Sequence, residues 1–94
     1  IPIGCGCFKP FDEHAAEIKR MFVRPDKRGT GVAISILQEL ERWAKELSYT
    51  YTVLETGTKN YEALRFYQRE GYTITENYGQ YIGMETSICM KKKL

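Results

Sequence analysis

The sequence predicts a single α/β domain, a mixed β-sheet with helices packed on its faces. Segments rich in β-branched and aromatic residues, typical of strands, lie near both ends of the chain. A long run with helical periodicity follows the first two of these segments, and predicted strands then alternate with predicted helices. The chain has 94 residues, of which 43% are hydrophobic and 28% charged, enough for one globular domain over residues 1–94.

The first two elements are predicted strands that form a hairpin. Residues 1–9 mix Ile, Cys and Phe with two glycines, and residues 16–23 are mostly apolar. Residues 10–14 include acidic residues and form the turn between them. Pro25 and Asp26 end the second strand, because proline lacks the N–H group that a central strand needs.

The third element is a predicted helix from about Gly29 to Leu47. Its apolar residues recur at i, i+3, i+4 and i+7, the spacing of one buried face. These residues are Ala33, Ile36, Leu37, Leu40, Trp43, Ala44 and Leu47. Trp43 is therefore expected in the core.

The second half of the chain predicts a central strand at Tyr51–Glu55 and a helix from Asn60 to Glu70. Asn60 is a suitable N-cap residue, and Gly71 stands where a glycine commonly ends a helix. Strands at Tyr72–Glu76 and Ser87–Lys92, joined by a loop, complete the sheet.

The composition of the chain argues against several classes of function. The net charge of +2 argues against nucleic acid as the partner, and no apolar run approaches the ~20 residues that span a bilayer. Three cysteines without a metal-ligand spacing predict no metal site and a reducing, cytoplasmic environment. Cys7 is expected to be a buried strand thiol and His14 a surface residue.

The segment from Arg28 to Ala33, Arg-Gly-Thr-Gly-Val-Ala, carries the strongest functional signal. Two glycines before a helix let a ligand approach the backbone, and the first helical N–H groups stay unpaired at the positive end of the helix dipole. Lys27 adds positive charge. The segment fits neither the P-loop nor the dinucleotide-binding pattern. It predicts a site for a phosphate-bearing ligand, with an ordinary glycine-capped helix start as the alternative.

Three ordered blocks resemble the GCN5-related N-acetyltransferases. Arg28, Gly31 and Ala33 match the pyrophosphate signature of that family, Glu17–Pro25 resembles its fourth strand, and Asn60–Tyr72 resembles its fourth helix with the entry to the sixth strand. The resemblance runs from about Ile3 to Leu94 and implies an acyl-CoA N-acyltransferase-like fold. The family's first strand, first two helices and second strand have no counterpart, so we expect an N-terminally incomplete domain.

The resemblance implies acetyl-CoA as co-substrate and no metal. The pantetheine arm would enter a gap between Phe22–Val23 and Leu54–Glu55 and pair with the second strand. The expected cofactor-binding residues are Met21, Phe22, Val23, Lys27, Arg28, Gly29, Thr30, Gly31, Val32, Ala33 and Asn60. Solvated surface charge is the alternative for Lys27 and Arg28, and a purely capping role is the alternative for Asn60.

The reaction implied is direct transfer of an acetyl group to a primary amine. Glu17 aligns with the strand-four glutamate that acts as base in one branch of the family, and a solvent-facing strand residue is the alternative. Tyr67 is the expected acid that protonates the leaving thiolate, and a core tyrosine is the alternative.

Two other functions stay open, a non-catalytic acyl-CoA-binding module and a basic nucleic-acid-binding domain. The acceptor, a small molecule or a peptide, cannot be named from the sequence. The first strand would also present an open edge with Ile1, Ile3, Cys5 and Cys7. We therefore expect a homodimer, or association with an N-terminal segment.

Overall fold

The computed structural model describes residues 4–94, apart from the side chain of Arg20. It contains five strands and two α-helices in this region: β1 (Gly4–Pro10), β2 (Ala15–Val23), α1 (Val32–Glu46), β3 (Tyr51–Gly57), α2 (Tyr61–Arg69), β4 (Thr73–Thr75) and β5 (Ser87–Lys93). Short 3₁₀ turns lie at Pro25–Lys27 and Gly79–Tyr81. The strands form one sheet in the order β1-β2-β3-β5-β4, in which only β2 and β3 are parallel. The predicted mixed sheet and its initial hairpin are confirmed.

Two helix ends depend on glycines in the left-handed region. Gly29 and Gly31 have φ angles of 79° and 87°, so α1 begins at Val32 and not at Gly29 as predicted. Gly71, with φ of 98°, ends α2 as expected. The next amide, that of Tyr72, donates back to the Tyr67 carbonyl at 2.9 Å. Because this amide serves the helix end, β4 begins only at Thr73.

The central strands β2 and β3 separate after a short paired stretch. Their pairing runs from Ala15 opposite Tyr51 to Glu17 opposite Val53. On the other side of β2 the register with β1 shifts, since Cys7 pairs with Lys19 but Cys5 pairs with Phe22. Two residues of β2 thus oppose one residue of β1, a bulge that bends the strand. The predicted gap between the ends of β2 and β3 is present in the fold.

The core lies between the sheet and the two helices. Its buried cluster consists of Ile18, Leu37, Leu40, Leu54, Tyr72 and Met90. Helix α1 packs closely on β1, because a Cβ atom at Gly6 would lie 2.8 Å from Ile36 Cγ2 and 2.9 Å from Leu40 Cδ1. Gly6 is therefore a position where only a hydrogen side chain fits without rearrangement.

Two predicted core residues are exposed. Trp43 is 54% exposed and packs edge-on against Phe8, with ring centroids 5.3 Å apart, at the margin of the α1–β1 interface. The prediction that it lies in the core is wrong, because the helical spacing places it at the edge of the buried face. Cys7 is also exposed, as is Cys5, since both project from edge strand β1. Ile1 and Ile3, expected on the same edge, lie outside the described residues.

A buried polar network joins α1 to strands β3 and β5. The Tyr72 hydroxyl donates to Glu41 Oε2 at 2.8 Å and lies 2.7 Å from Thr52 Oγ1, while Lys92 Nζ donates to Glu41 Oε1 at 3.0 Å. Tyr72 is 2% exposed and Thr52 is fully buried. The pKa of Tyr72 lies well above its usual range, and burial is the largest cause. The network ties α1 to β3 and β5.

Candidate functional site

A cleft of about 700 Å³ opens between the end of β2, the start of α1 and one face of α2. The β2 wall is made by Met21, Phe22 and Val23. All three follow the point where β2 leaves β3. Their backbone is thus available to a ligand on the side that β3 would occupy in a continuous sheet.

The second wall is the turn that leads into α1. It presents Arg28, Gly29, Gly31 and Ala33 to the cleft. No atom lies within 4 Å of the place where a Cβ atom would stand on either glycine, so the backbone faces open space. Gly31 is the N-cap residue, no side chain caps α1 there, and the first turn carries no acidic residue. The positive end of the helix dipole is therefore uncompensated and faces the cleft.

Two guanidinium groups border the same space. Arg28 Nε donates to the Val23 carbonyl at 3.1 Å, which fixes the side chain beside the glycines. Arg69, in the last turn of α2, lines the opposite wall. Planar guanidinium groups suit phosphate oxygens. The cleft thus combines bare N–H donors with two arginines, the chemistry that a pyrophosphate requires.

Tyr67 and Asn60 stand where the large cleft meets a smaller one. The smaller cleft, of about 290 Å³, fills the gap between β2 and β3, and both residues line the two clefts. Burial raises the pKa of Tyr67, so its hydroxyl stays protonated at neutral pH. Asn60 Oδ1 accepts the Ala63 N–H at 3.2 Å. The capping role of Asn60 is confirmed, and its amide nitrogen remains for a ligand.

Glu17 lines neither cleft and lies on the sheet face opposite α1, beside Lys19 of the smaller cleft. The residue is 4% exposed, so the alternative of a solvent-facing residue is wrong. Oε2 accepts a hydrogen bond from the Tyr78 hydroxyl at 2.8 Å and lies 3.6 Å from Lys19 Nζ. Oε1 lies 3.9 Å from Lys9 Nζ. Glu17 is thus the centre of a polar cluster, and a direct contact with a ligand in either cleft would need this cluster to rearrange.

Eight of the eleven residues expected at the cofactor line the large cleft; the lining lacks Lys27, Thr30 and Val32. The Thr30 hydroxyl instead donates to the Lys27 carbonyl within the turn.

Sequence reasoning missed four charged residues of the clefts: Glu62 and Arg69 in the large cleft, and Lys19 and Glu55 in the smaller one. Arg69 lies on one face of α2 with Glu62 and Phe66, a spacing of four and three that could have identified it. Glu55 lines the smaller cleft from β3. The sequence placed Glu55 beside the gap but gave no sign that its carboxylate would be accessible there. Among the described residues, no group of three or more acidic, histidine or cysteine side chains is arranged to hold a metal ion.

Comparisons with known proteins identify the family. The model of the acetyltransferase (GNAT) family matches residues 2–72, so the chain belongs to this family. The chain is 32% identical over 77 residues to an uncharacterized N-acetyltransferase of Schizosaccharomyces pombe, and 30% identical over 93 residues to an IAA acetyltransferase of Azospirillum brasilense. These matches cover 81% and 98% of the chain, but only 47% and 61% of the relatives.

Solved structures agree on the fold. A crystal structure described as a putative acyl-CoA N-acyltransferase from Klebsiella pneumoniae superposes with a TM-score of 0.92 at 30% identity, over 98% of this chain and 63% of that one. A GNAT family acetyltransferase from Elizabethkingia anophelis with acetyl-CoA bound gives 0.85 at 25% identity, over 98% and 69%. The α/β fold of the acyl-CoA N-acyltransferases is therefore confirmed. No helix within residues 4–94 is long and apolar enough to cross a membrane.

Proposed function

We propose that this chain forms the acetyl-CoA-binding and catalytic part of an N-acetyltransferase that acts on a primary amine by direct transfer. One observation carries the proposal: the cleft at the start of α1, where the open backbone of Gly29 and Gly31 adjoins Arg28. A pyrophosphate there would accept N–H donors at the positive helix end and bind the guanidinium group. The relative with acetyl-CoA bound supports the identity of the ligand.

Acetyl transfer needs a proton donor and a base, and residues near the gap between β2 and β3 are candidates for both. When bound, acetyl-CoA supplies an activated acetyl group as a thioester. The amine nitrogen bonds to the carbonyl carbon, the C–S bond breaks, the nitrogen loses a proton and the sulfur gains one. Tyr67, whose hydroxyl is protonated at neutral pH, is our candidate donor of the proton to sulfur.

Two carboxylates are candidates for the base. Glu17 is buried under Tyr78, so we propose that any role it has runs through water. Glu55 lines the gap itself, and Ser87 Oγ, at 2.7 Å from Oε2, is its one hydrogen-bond donor in the part of the chain that the structure describes. We propose Glu55 as the direct alternative. The pH dependence of the two Glu→Gln variants distinguishes them.

The cofactor site is tested by Gly31→Val with Gly83→Val as matched control. Both glycines have left-handed φ angles, 87° and 79°, and open space around a Cβ atom, so both variants carry similar strain. Only Gly31 lines the cleft. By titration calorimetry, Gly31→Val should bind acetyl-CoA at least about tenfold more weakly, whereas Gly83→Val should match the wild type. Equal affinity in a folded Gly31→Val chain would refute the site.

A non-catalytic acyl-CoA-binding module remains the alternative, because the chain spans about half to two thirds of its relatives. A chain that binds acetyl-CoA but releases no CoA thiol with any primary amine in a panel would support the alternative. Thiol release that depends on the amine would support the enzyme.

A further inference from the structure

The smaller cleft has a charged group on each strand that borders it. Its lining is otherwise neutral, and the two charged side chains are Lys19 on β2 and Glu55 on β3. Their strand neighbours Ile18 and Leu54 belong to the core under the helices. Because side chains alternate along a strand, Lys19 and Glu55 lie on the face opposite α1. Tyr67 borders the same cleft from the helix side.

Lys19 is a fixed cation. Its Nζ donates to the Tyr81 hydroxyl at 3.1 Å and lies 3.6 Å from Glu17 Oε2. The hydrogen bond that Lys19 donates to Tyr81, followed by the charge of Glu17, raises the pKa of Lys19. An ammonium group has three N–H donors, and Tyr81 and Glu17 take two of them, so one donor remains for a ligand. Glu17 also faces Lys9, so the three residues together retain one positive charge.

Glu55 is held in a similar way. Its Oε2 accepts from Ser87 Oγ, and Ser87 is only 8% exposed, so this bond fixes the carboxylate against β5. Within the described residues Oε1 has no hydrogen-bond donor. The cleft between them, about 290 Å³, is large enough for a molecule the size of an amino acid.

We propose that the acceptor is a small amine that also carries an anionic group, of the amino acid class. Its ammonium group would lie at Glu55 and its anionic group at Lys19. This inference rests on the proposed acetyl transfer, because it names the acceptor for the same site. An amine without an anion would leave the Lys19 charge without a ligand and lose a charge-assisted hydrogen bond.

The test compares amino acids with the amines that result from their decarboxylation: alanine with ethylamine, phenylalanine with 2-phenylethylamine, and arginine with agmatine. Each pair differs only in the carboxylate. Binding to the CoA-saturated chain is measured by titration calorimetry. The wild type should prefer each amino acid by roughly tenfold to a hundredfold, the range for a hydrogen bond between charged groups.

Three variants assign the preference to one residue. Lys19→Met should abolish it, and Lys19→Arg should retain most of it and control for folding. Lys45→Met should also retain it, because Lys45 is exposed on α1 and lines neither cleft. Equal affinity within the pairs, a preference that survives Lys19→Met, or no binding of either member would overturn the inference. A chain that fails to bind acetyl-CoA instead refutes the proposed function.

Discussion

Removal of the Tyr72 hydroxyl should destabilise the protein far more than the loss of a single oxygen atom suggests. The hydroxyl joins Thr52, which is fully buried, to Glu41, which is 9% exposed. Tyr72→Phe keeps the ring but leaves Thr52 Oγ1 without this partner and the Glu41 carboxylate with only Lys92. A buried polar group without a partner costs about 1–3 kcal/mol, and a hydrogen bond to a charged group contributes ~1.5–3 kcal/mol. Since these terms overlap, we expect a loss of roughly 2–4 kcal/mol in the free energy of unfolding.

The assay is urea denaturation followed by circular dichroism, with Tyr61→Phe as the control. Tyr61 is 65% exposed, so its hydroxyl already faces water and its loss should change stability by less than about 0.5 kcal/mol. The double variant Thr52→Val with Tyr72→Phe should lose less than the sum of the single variants, because both polar partners are then apolar. A Tyr72→Phe protein as stable as the Tyr61→Phe protein would refute the reasoning.

Three further predictions concern the reaction and pH. Tyr67→Phe should lower turnover by roughly 10²–10⁴-fold with little change in stability. Unchanged thiol release would show that Tyr67 has a packing role only. Glu17→Gln, if Glu17 assists deprotonation, should lower the rate most at low pH and recover at high pH, whereas the same profile in Glu55→Gln alone would assign the base to Glu55. Burial raises the pKa of both Tyr72 and Tyr78, so the unfolded chain releases these protons first and stability should fall as pH rises above about 10. Thermal melts from pH 8 to 11 measure this fall, and replacement of both tyrosines by Phe should flatten it.

Local signals predicted most of the fold. The hairpin of β1 and β2, the periodicity of α1 and the capping residues Asn60 and Gly71 are short-range features, and each is present, although α1 begins three residues later than predicted. Part of the candidate site follows for the same reason. The turn from Arg28 to Ala33 is continuous in sequence, and its glycines line the cleft.

The features that the sequence did not reveal depend on distant partners. The contact of Glu17 with Tyr78 joins residues 61 positions apart, so nothing near Glu17 in the sequence indicates its burial. Trp43 fits the helical spacing, yet the width of the interface with β1 leaves it exposed. The bulge in β2 depends on its register with β1, which no local pattern encodes.

The short pairing of β2 with β3 divides the sheet into two halves, β1-β2 and β3-β5-β4. Three residue pairs join the halves directly, whereas β3 and β5 share seven. Helix α1 spans the division: Ile36 and Leu40 pack on Gly6 of β1, and Glu41 binds Tyr72 and Lys92 of the other half. Beyond Glu17, β2 still pairs with β1 but no longer with β3, so the β2 amide groups that face the gap should exchange their hydrogens with solvent faster than those of β3. A ligand that fills the gap would slow that exchange on β2 first, so hydrogen-exchange protection along this one strand reports occupancy without any assay of turnover.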